Sequence, residues 1–573
     1  MAVVPMPPKA TFHLPLNPFL QSCGLPGAWA QQSAWRILDT DWQDGARFLA
    51  CMDAWRHDAL RPRMLHYVAL SANCDIGTLT LLSPSTAGQF QDLQPGFNRL
   101  SFCGGQVLLT LCVGELKPML RAQSFVADSV FLPQLAPSAC DDWAMKALLR
   151  CCRRGTALAW SSAQSDSLRM LKRHGFELTD PSDSAVHRAH FNPRWQIKSS
   201  RRRFAKPALA PSCCIVIGAG LAGASTAASL ARRGWRVQVL DAGAAPASGA
   251  SGLPVGLMVP PEASDANPRS WLLHAGVKLT LQQAHEHLVQ GQDWAQSGVM
   301  MMKPDRPADW LPDAAWIKPS RLVQAWLAQP NVHFQGNAAA ASLHRSGDEW
   351  LVCDAANTVL ARASLVVLAA PSACAALLFG HAPGLHASLN AFHGQVSWAQ
   401  QRAADDVRLP VHPLNGSGHL VAHVPLDGDM EIGKAWFAGA TYLPGDAEPQ
   451  KAYDQHVANL LRLADLHAGA AQIMSERMRD GSLQAWQGTR FTTRDRMPRV
   501  GEISGQHVEQ LDGTRVSRSK ARLCINTGFG SRGLSWSVLC AELLAAQLSA
   551  EPLPMPDAWQ KLLDCEHYPL ATR

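Results

Sequence analysis

Short apolar runs punctuated by polar, helix-like stretches organise the first third of the chain. Leu65 to Leu70 and Val107 to Leu111 read as buried strands, and Asp141 to Arg154 reads as a helix, which together make a βα rhythm. The rhythm breaks at RWQIKSSRRRFAKPALAPS, from Arg194 to Pro211, where Arg201, Arg202, Arg203 and Lys206 cluster with prolines and neither periodicity survives. It resumes with CCIVIGAG and continues through strand-like Glu349 to Cys353 and Ser364 to Ala369. The pattern predicts a domain over 1–193, a basic linker over 194–210 and a second domain over 211–573, the first α/β and the second mixing α/β with α+β. The most apolar stretch, Leu365 to Gly380, is interrupted by Pro371 and Ser372. It predicts a strand followed by a helix, not the roughly 20-residue span a bilayer requires.

Composition narrows the class. At 573 residues, with 47% hydrophobic and 17% charged positions, the chain is long enough for several domains and too apolar for wholesale disorder. Its net charge of +6 permits a nucleic-acid partner without demanding one. The fifteen cysteines are odd in number, lack C-x-x-C spacing and include the adjacent pairs Cys151-Cys152 and Cys213-Cys214. They suit buried, reduced thiols better than bridges or a zinc site. The opening MAVVPMPPKATFHLPLNPFL is broken by prolines and does not read as a secretory signal, so a cytoplasmic protein is expected, with no membrane partner.

Residues Cys213 to Asp241 carry the clearest chemistry. An apolar strand runs into Gly218-x-Gly220-x-x-Gly223, then a helix of small residues, then the strand Val237 to Leu240 ending in Asp241. Gly218 permits the tight turn, Gly220 lets backbone approach a pyrophosphate, and Gly223 lets helix and strand pack closely. The helix N-terminus offers N–H groups and a positive dipole end to phosphate, and Asp241 stands where a carboxylate accepts from ribose hydroxyls. The fingerprint alone does not separate flavin from nicotinamide. Two further segments favour flavin: the loop Ala247 to Gly252, with Ser248 and Ser251, and a distant glycine-rich helix start holding Gly528, Gly530, Ser531, Arg532, Gly533 and Leu534. The latter leads from the strand Leu523 to Ile525 into a helix over Val538 to Leu548, and taken alone it is equally an ordinary turn.

With these segments in view, the chain from about Cys213 resembles the glycine oxidase and D-amino-acid oxidase group of FAD enzymes. Within that group it is most similar to the bifunctional proteins of tRNA 5-methylaminomethyl-2-thiouridine biosynthesis. The motifs that carry the resemblance are the fingerprint, ASGASG, His393 to Ser397, Gly439 to Tyr442, Thr489 to Pro498 and GFGSRGL, in family order over about 360 residues. The resemblance implies FAD, a tRNA substrate engaged at its anticodon region, and oxidative removal of the carboxymethyl group from 5-carboxymethylaminomethyl(-2-thio)uridine. The products would be glyoxylate and 5-aminomethyl(-2-thio)uridine, with oxygen reoxidising the flavin. Such a hydride transfer depends on orientation more than on a strong base. Arg490 is the candidate carboxylate anchor, because a guanidinium fork suits that role, with a surface arginine as the alternative. Tyr442 is a candidate for orienting the amine or the carboxylate, or else a structural tyrosine. His393 is expected to be structural rather than a base. The linker cations Arg201, Arg202, Arg203 and Lys206 would meet tRNA phosphates, or simply be solvated.

The same resemblance makes the N-terminal domain a Rossmann-like methyltransferase type, with S-adenosylmethionine as its implied cofactor. Landmarks such as Phe48-Leu49-Ala50, His66 to Leu70, Gly96 to Leu100 and Gly175-Phe176-Glu177 fit. The cofactor motifs do not. Where an acid followed by closely spaced glycines is expected, the chain reads Leu38-Asp39-Thr40-Asp41-Trp42-Gln43-Asp44-Gly45, and Trp42 and Asp44 are expected to obstruct the donor. Ser71 stands in place of a ribose-binding acid, and Pro133 in place of an aspartate. These departures argue against methyl transfer and for a domain kept for stability or RNA docking, with a divergent but working pocket as the alternative. Two competing readings remain at this level: an oxidase of free glycine, sarcosine or another small amine, and a scaffold in which both sites have decayed.

Overall fold

A computed structural model describes residues 17–74, 88–133, 141–161, 165–179, 185–196, 208–261, 267–303, 306–378, 389–426, 433–446, 451–503, 508–511, 515–518 and 521–565. The chain divides into two compact units, Met1–Ala205 and Lys206–Arg573, with the division inside the basic segment 194–210. The linker cations Arg201, Arg202, Arg203 and Lys206 lie outside the described residues.

The N-terminal unit is built on one eight-stranded sheet. Its order is Gly96–Phe102, Val107–Val113, Met64–Ser71, Ala34–Asp39, Ala127–Leu132, Cys152–Trp160, His187–Phe191 and Phe176–Leu178. The five strands from Val107–Val113 to Cys152–Trp160 are parallel, and antiparallel strands close both edges. Strands such as Val107–Val113 are buried at every position, which is why they read as continuous apolar runs rather than alternating ones. One expectation needs correcting: the helix starts at Asp142, capped by the Asp141 carboxylate, but ends at Arg150. Cys152 to Arg154 belong to the next strand, where Ala127 pairs with Cys152, so sheet pairing overrides a locally helix-compatible pattern.

The C-terminal unit holds a six-stranded sheet ordered Val332–Gln335, Arg236–Leu240, Cys213–Ile217, Leu365–Leu368, Arg522–Thr527 and Arg499–Glu502. All neighbours are parallel except the last pair. The apolar stretch after Ser364 is a central strand followed by the helix Pro371–Leu378. No described helix is long and apolar enough to cross a membrane. A second large sheet includes His419–Pro425, Lys434–Gly439, Leu389–Gln400 and, paired along ten positions of the last, Gln484–Thr493. The helices Ala452–Leu466 and Ala468–Arg479 cover one of its faces through Leu420, Trp436, Ala438 and Leu463. The opposite face, with Val396, Val421 and Phe437, packs on Val255 and Trp316. This combination of a parallel dinucleotide sheet and an antiparallel sheet is the expected α/β plus α+β class.

The fingerprint helix Leu221–Arg232 is made almost wholly of buried small residues, because it is wedged against the long helix Gly533–Ser549. Their contacts advance in the same direction. Gly533 lies beside Leu221, Ser225 Oγ donates to the Ser537 carbonyl (3.1 Å), and Ser229 Oγ donates to Glu542 Oε1 (2.6 Å). The helices are therefore parallel, and both N-termini open at one end of the unit.

Candidate functional site

At that end the two glycine-rich segments meet. Gly218 has φ +111°, and a Cβ there would come within 2.8 Å of Ala370. A Cβ on Gly223 would lie 1.7 Å from the Gly218 carbonyl oxygen, so turn and helix touch through backbone alone. Gly220 is the N-cap of the first helix, and a Cβ there would sit 2.9 Å from Ser251 Oγ. Ser251 in turn accepts from the Leu221 amide (2.9 Å), so the loop after the second strand caps the fingerprint helix. That role is not legible from the spacing, since the two residues are 30 apart. The second segment follows the strand Arg522–Thr527 with Gly528 at φ +82° and Gly530 at φ +57°, conformations that suit glycine. Ser531 and Arg532 are exposed at the start of Gly533–Ser549, while Leu534 is buried; this helix begins five residues before the Val538 expected from the apolar pattern.

Asp241 is half-buried, and its carboxylate is already at work within the protein. Oδ2 accepts from the Ala219 amide (2.6 Å) and Oδ1 from the Gly243 amide (2.8 Å), with Ser248 Oγ at 3.4 Å. It ties the fingerprint turn to the loop that carries Ser248 and Ser251. A carboxylate oxygen has further lone pairs for a ribose hydroxyl, so the two roles are compatible. Two adjacent helix N-termini and three glycines without room for Cβ form a cradle for a dinucleotide phosphate group, and these residues fit FAD.

The antiparallel sheet supplies the other half of the site. Arg490 pairs opposite Phe392, which is two residues from Gly394 on the same strand and therefore on the same face. Its guanidinium lies across Gly394, where a Cβ would be 2.2 Å from Nη2, and donates to the Thr441 carbonyl (3.3 Å). Its carbon sits 5.6 Å from the Tyr442 ring centroid, and Tyr442 stacks on Phe392 at 4.3 Å. Arg490 is half-buried, and among the described residues no carboxylate pairs with it. Burial draws its pKa below the ordinary arginine value, against a smaller opposing pull from Tyr442. A guanidinium nevertheless stays charged, so it is a cation open to an external carboxylate. Tyr442 is 48% exposed, which sets aside the buried structural role considered for it. His393 bonds Thr489 Oγ1 through Nδ1 (2.9 Å) across the strand pair, consistent with a structural part.

Sequence reading missed what surrounds this pair. His419 lies on the strand next to Lys434–Gly439, opposite Gly439, and alternates with Leu420 so that it shares the face of Val421 and Arg490. Burial, and secondarily the Arg490 cation, lowers its pKa to about 4, which leaves the imidazole neutral at neutral pH. Beneath Thr441 runs a buried polar chain: Thr441 Oγ1 accepts from the Gln395 amide (2.8 Å) and donates to Gln455 Oε1 (2.7 Å). Asn459 Nδ2 donates to the Gln395 carbonyl and to Ser397 Oγ, both at 3.0 Å. This chain fixes the backbone to which Arg490 is bonded. The turn beyond Arg490 is held by Asp495, which accepts from Thr493, the Met497 amide and Arg499.

In the N-terminal unit, Ser71 and Pro133 lie at the carboxyl ends of the two parallel strands that flank Ala34–Asp39, with Asp39 and the turn after it between them. Ser71 Oγ is turned to the Asn73 carbonyl (2.8 Å). Asp44 Oδ1 accepts from the Ala46 amide (3.0 Å) and shapes the start of the next helix. The expected obstruction by Trp42 is corrected by its position: the indole is 1% exposed and packed between Phe48 and Phe90, in the core beneath the turn rather than in its mouth.

The chain matches the family described as FAD dependent oxidoreductase over residues 214–309 and 305–547. It is 45% identical, over 95% of both chains, to the tRNA 5-methylaminomethyl-2-thiouridine biosynthesis bifunctional protein of Albidiferax ferrireducens. It is 38% identical to the protein of that name from Polaromonas naphthalenivorans, over 94% of this chain and 91% of the relative. Among solved structures, glycine oxidase from Geobacillus kaustophilus superposes with a TM-score of 0.48 at 17% identity, over 62% of this chain and 99% of that one. A chain with this site and this likeness along 95% of its length belongs to the family of tRNA 5-methylaminomethyl-2-thiouridine biosynthesis bifunctional proteins, and its larger unit is an FAD-dependent oxidoreductase.

Proposed function

We propose that the larger unit removes the carboxymethyl group from 5-carboxymethylaminomethyl(-2-thio)uridine at the wobble position of tRNA. The observation that carries this reading is the Arg490 guanidinium, half-buried on the sheet face, bonded to one backbone carbonyl and pairing with no carboxylate among the described residues. It would hold the substituent's carboxylate by charge-assisted hydrogen bonds. Tyr442, exposed beside it, would orient the neighbouring amine, and the low basicity of His419 keeps a second positive charge away from that amine. FAD would be held by Gly218, Gly220, Gly223, Asp241 and the segment Gly528 to Leu534, and would supply the two-electron acceptor. The methylene between amine and carboxylate loses a hydride and the nitrogen its proton. Water adds to the resulting C=N bond, whose cleavage gives glyoxylate and the primary 5-aminomethyl group. The barrier is lowered chiefly by holding donor carbon and acceptor in register, which the rigid strand pair bearing Arg490 favours.

The tRNA would approach through its anticodon region, with Arg201, Arg202, Arg203 and Lys206 of the linker on its phosphates, in the cytoplasm where such RNA is found. Mass spectrometry of wobble nucleosides, after incubating the flavin-loaded protein with tRNA bearing 5-carboxymethylaminomethyluridine, tests the reading. Loss of that nucleoside with equimolar glyoxylate is expected. An unchanged nucleoside, together with rapid oxidation of free glycine or sarcosine, would overturn it in favour of a small-amine oxidase.

A further inference from the structure

The strand order of the N-terminal unit leaves, at the carboxyl ends of its parallel strands, the crevice where family resemblance implies S-adenosylmethionine. A donor with a cationic amino group, a ribose and a sulfonium needs an available acid after the first strand, open backbone in the turn, and an acceptor at the end of the second strand. Asp39 ends the first strand but is 1% exposed, and both of its oxygens are engaged. Oδ2 accepts from Arg47 Nε (2.9 Å) and Tyr67 Oη (2.6 Å), and Oδ1 from Arg47 Nη2 (3.3 Å) and the Asp41 amide (3.2 Å).

Arg47 reaches this carboxylate from the first turn of the helix Ala46–His57. Its other contacts tie down the rest of the turn: Nη1 donates to Gln43 Oε1 (2.9 Å) and Nη2 to the Asp41 carbonyl. The turn is also stitched sideways, because the Trp42 amide donates to the Leu70 carbonyl (2.6 Å) at the end of the neighbouring strand. Only one glycine, Gly45 at φ +76°, remains in it, and that residue serves as the helix N-cap. Ser71, at the second strand's end, has its hydroxyl directed to Asn73. A guanidinium thus already satisfies the carboxylate that a cationic amino group would require, and the residues present do not fit the donor.

We infer that this crevice is a closed, internally braced structure in which Arg47 substitutes for a ligand, so that the chain does not use S-adenosylmethionine. Resting on the reaction proposed above, the primary aminomethyl product is then released to a separate N-methyltransferase. Equilibrium dialysis of the full-length, flavin-loaded protein against labelled S-adenosylmethionine tests the closure independently of oxidation, since failure of the oxidase reading would alter glyoxylate yield and leave donor binding untouched. No saturable binding up to about millimolar donor is expected, and saturable binding in the micromolar range at one per chain would overturn the inference. Bracing is read separately by hydrogen exchange in Arg47→Ala. Amides from Thr40 to Ala46 should exchange at least about tenfold faster, with flavin absorbance unchanged, and protection equal to wild type would overturn the bracing role.

Discussion

Arg490 occupies the space that a side chain on Gly394 would need. The guanidinium crosses the strand Leu389–Gln400 directly above that glycine, 2.2 Å from where a Cβ would be, and reaches Thr441 on the far side. The position of the cation is therefore set by an absence on the neighbouring strand as much as by its own backbone.

It follows that Gly394→Ala should mimic loss of the anchor without touching it. Steady-state kinetics should show KM for the carboxylate-bearing substrate rising about tenfold to a hundredfold in both Gly394→Ala and Arg490→Ala, as expected for a lost charged hydrogen bond. Flavin content should remain at the wild-type level. Gly394→Ala with unchanged KM would show that Arg490 does not work from its position above Gly394.

Gly220→Val should cost the protein its flavin. A side chain there pushes on Ser251, which caps Leu221 at 2.9 Å, so the loop carrying Ser248 and Ser251 is displaced along with the phosphate cradle. The purified variant is expected to be colourless, with no absorbance near 450 nm in the flavin region. A variant that remains yellow with a normal spectrum would contradict the placement of the dinucleotide.

Glu542 joins the two parallel helices at depth, accepting from Arg232 (2.9 Å), Arg233 (2.9 Å) and Ser229 (2.6 Å), while Arg233 also holds Glu551 at 2.8 Å. Burial alone would raise the Glu542 pKa, but Arg233 and Arg232 together bring it far below the usual carboxylate range. Removing one member leaves buried charge uncompensated, so Glu542→Ala should destabilise the unit by about 3–5 kcal/mol in chemical denaturation. Because the folded pKa is depressed, this stabilisation is complete above the unfolded value and is lost as pH falls through the acid range below it. Wild type should accordingly lose stability on acidification more steeply than Glu542→Gln.

His419 acts at milder pH. Its folded pKa of about 4 lies below the ordinary 6.5, so between these values the unfolded chain binds the proton more readily than the folded one. Stability is full above that window and falls as pH drops through it. His456 and His287, both lowered chiefly by burial, contribute in the same direction. Thermal unfolding followed across this range should show a shallower loss in His419→Asn than in wild type, and parallel curves would remove His419 from the account.

What the sequence determined by itself was everything that depends on neighbours along the chain. The strand, glycine turn, helix and acid between Cys213 and Asp241 are contiguous, and their steric logic is local. Trp42 shows the limit of such reading: one position in a turn separates an indole in the mouth of a crevice from an indole in the core, and only packing against Phe48 and Phe90 chose the latter. The same holds for Asp141 to Arg154, where pairing with Ala127–Leu132 took the last residues from a helix into a strand. Tertiary structure alone brought Gly394 under Arg490, Ser251 to Leu221, and Arg47 around Asp39 with Tyr67. These contacts join residues on different strands, turns and helices, and a hydrogen bond or a clash between them depends on angles and distances fixed only when sheets pair and helices pack.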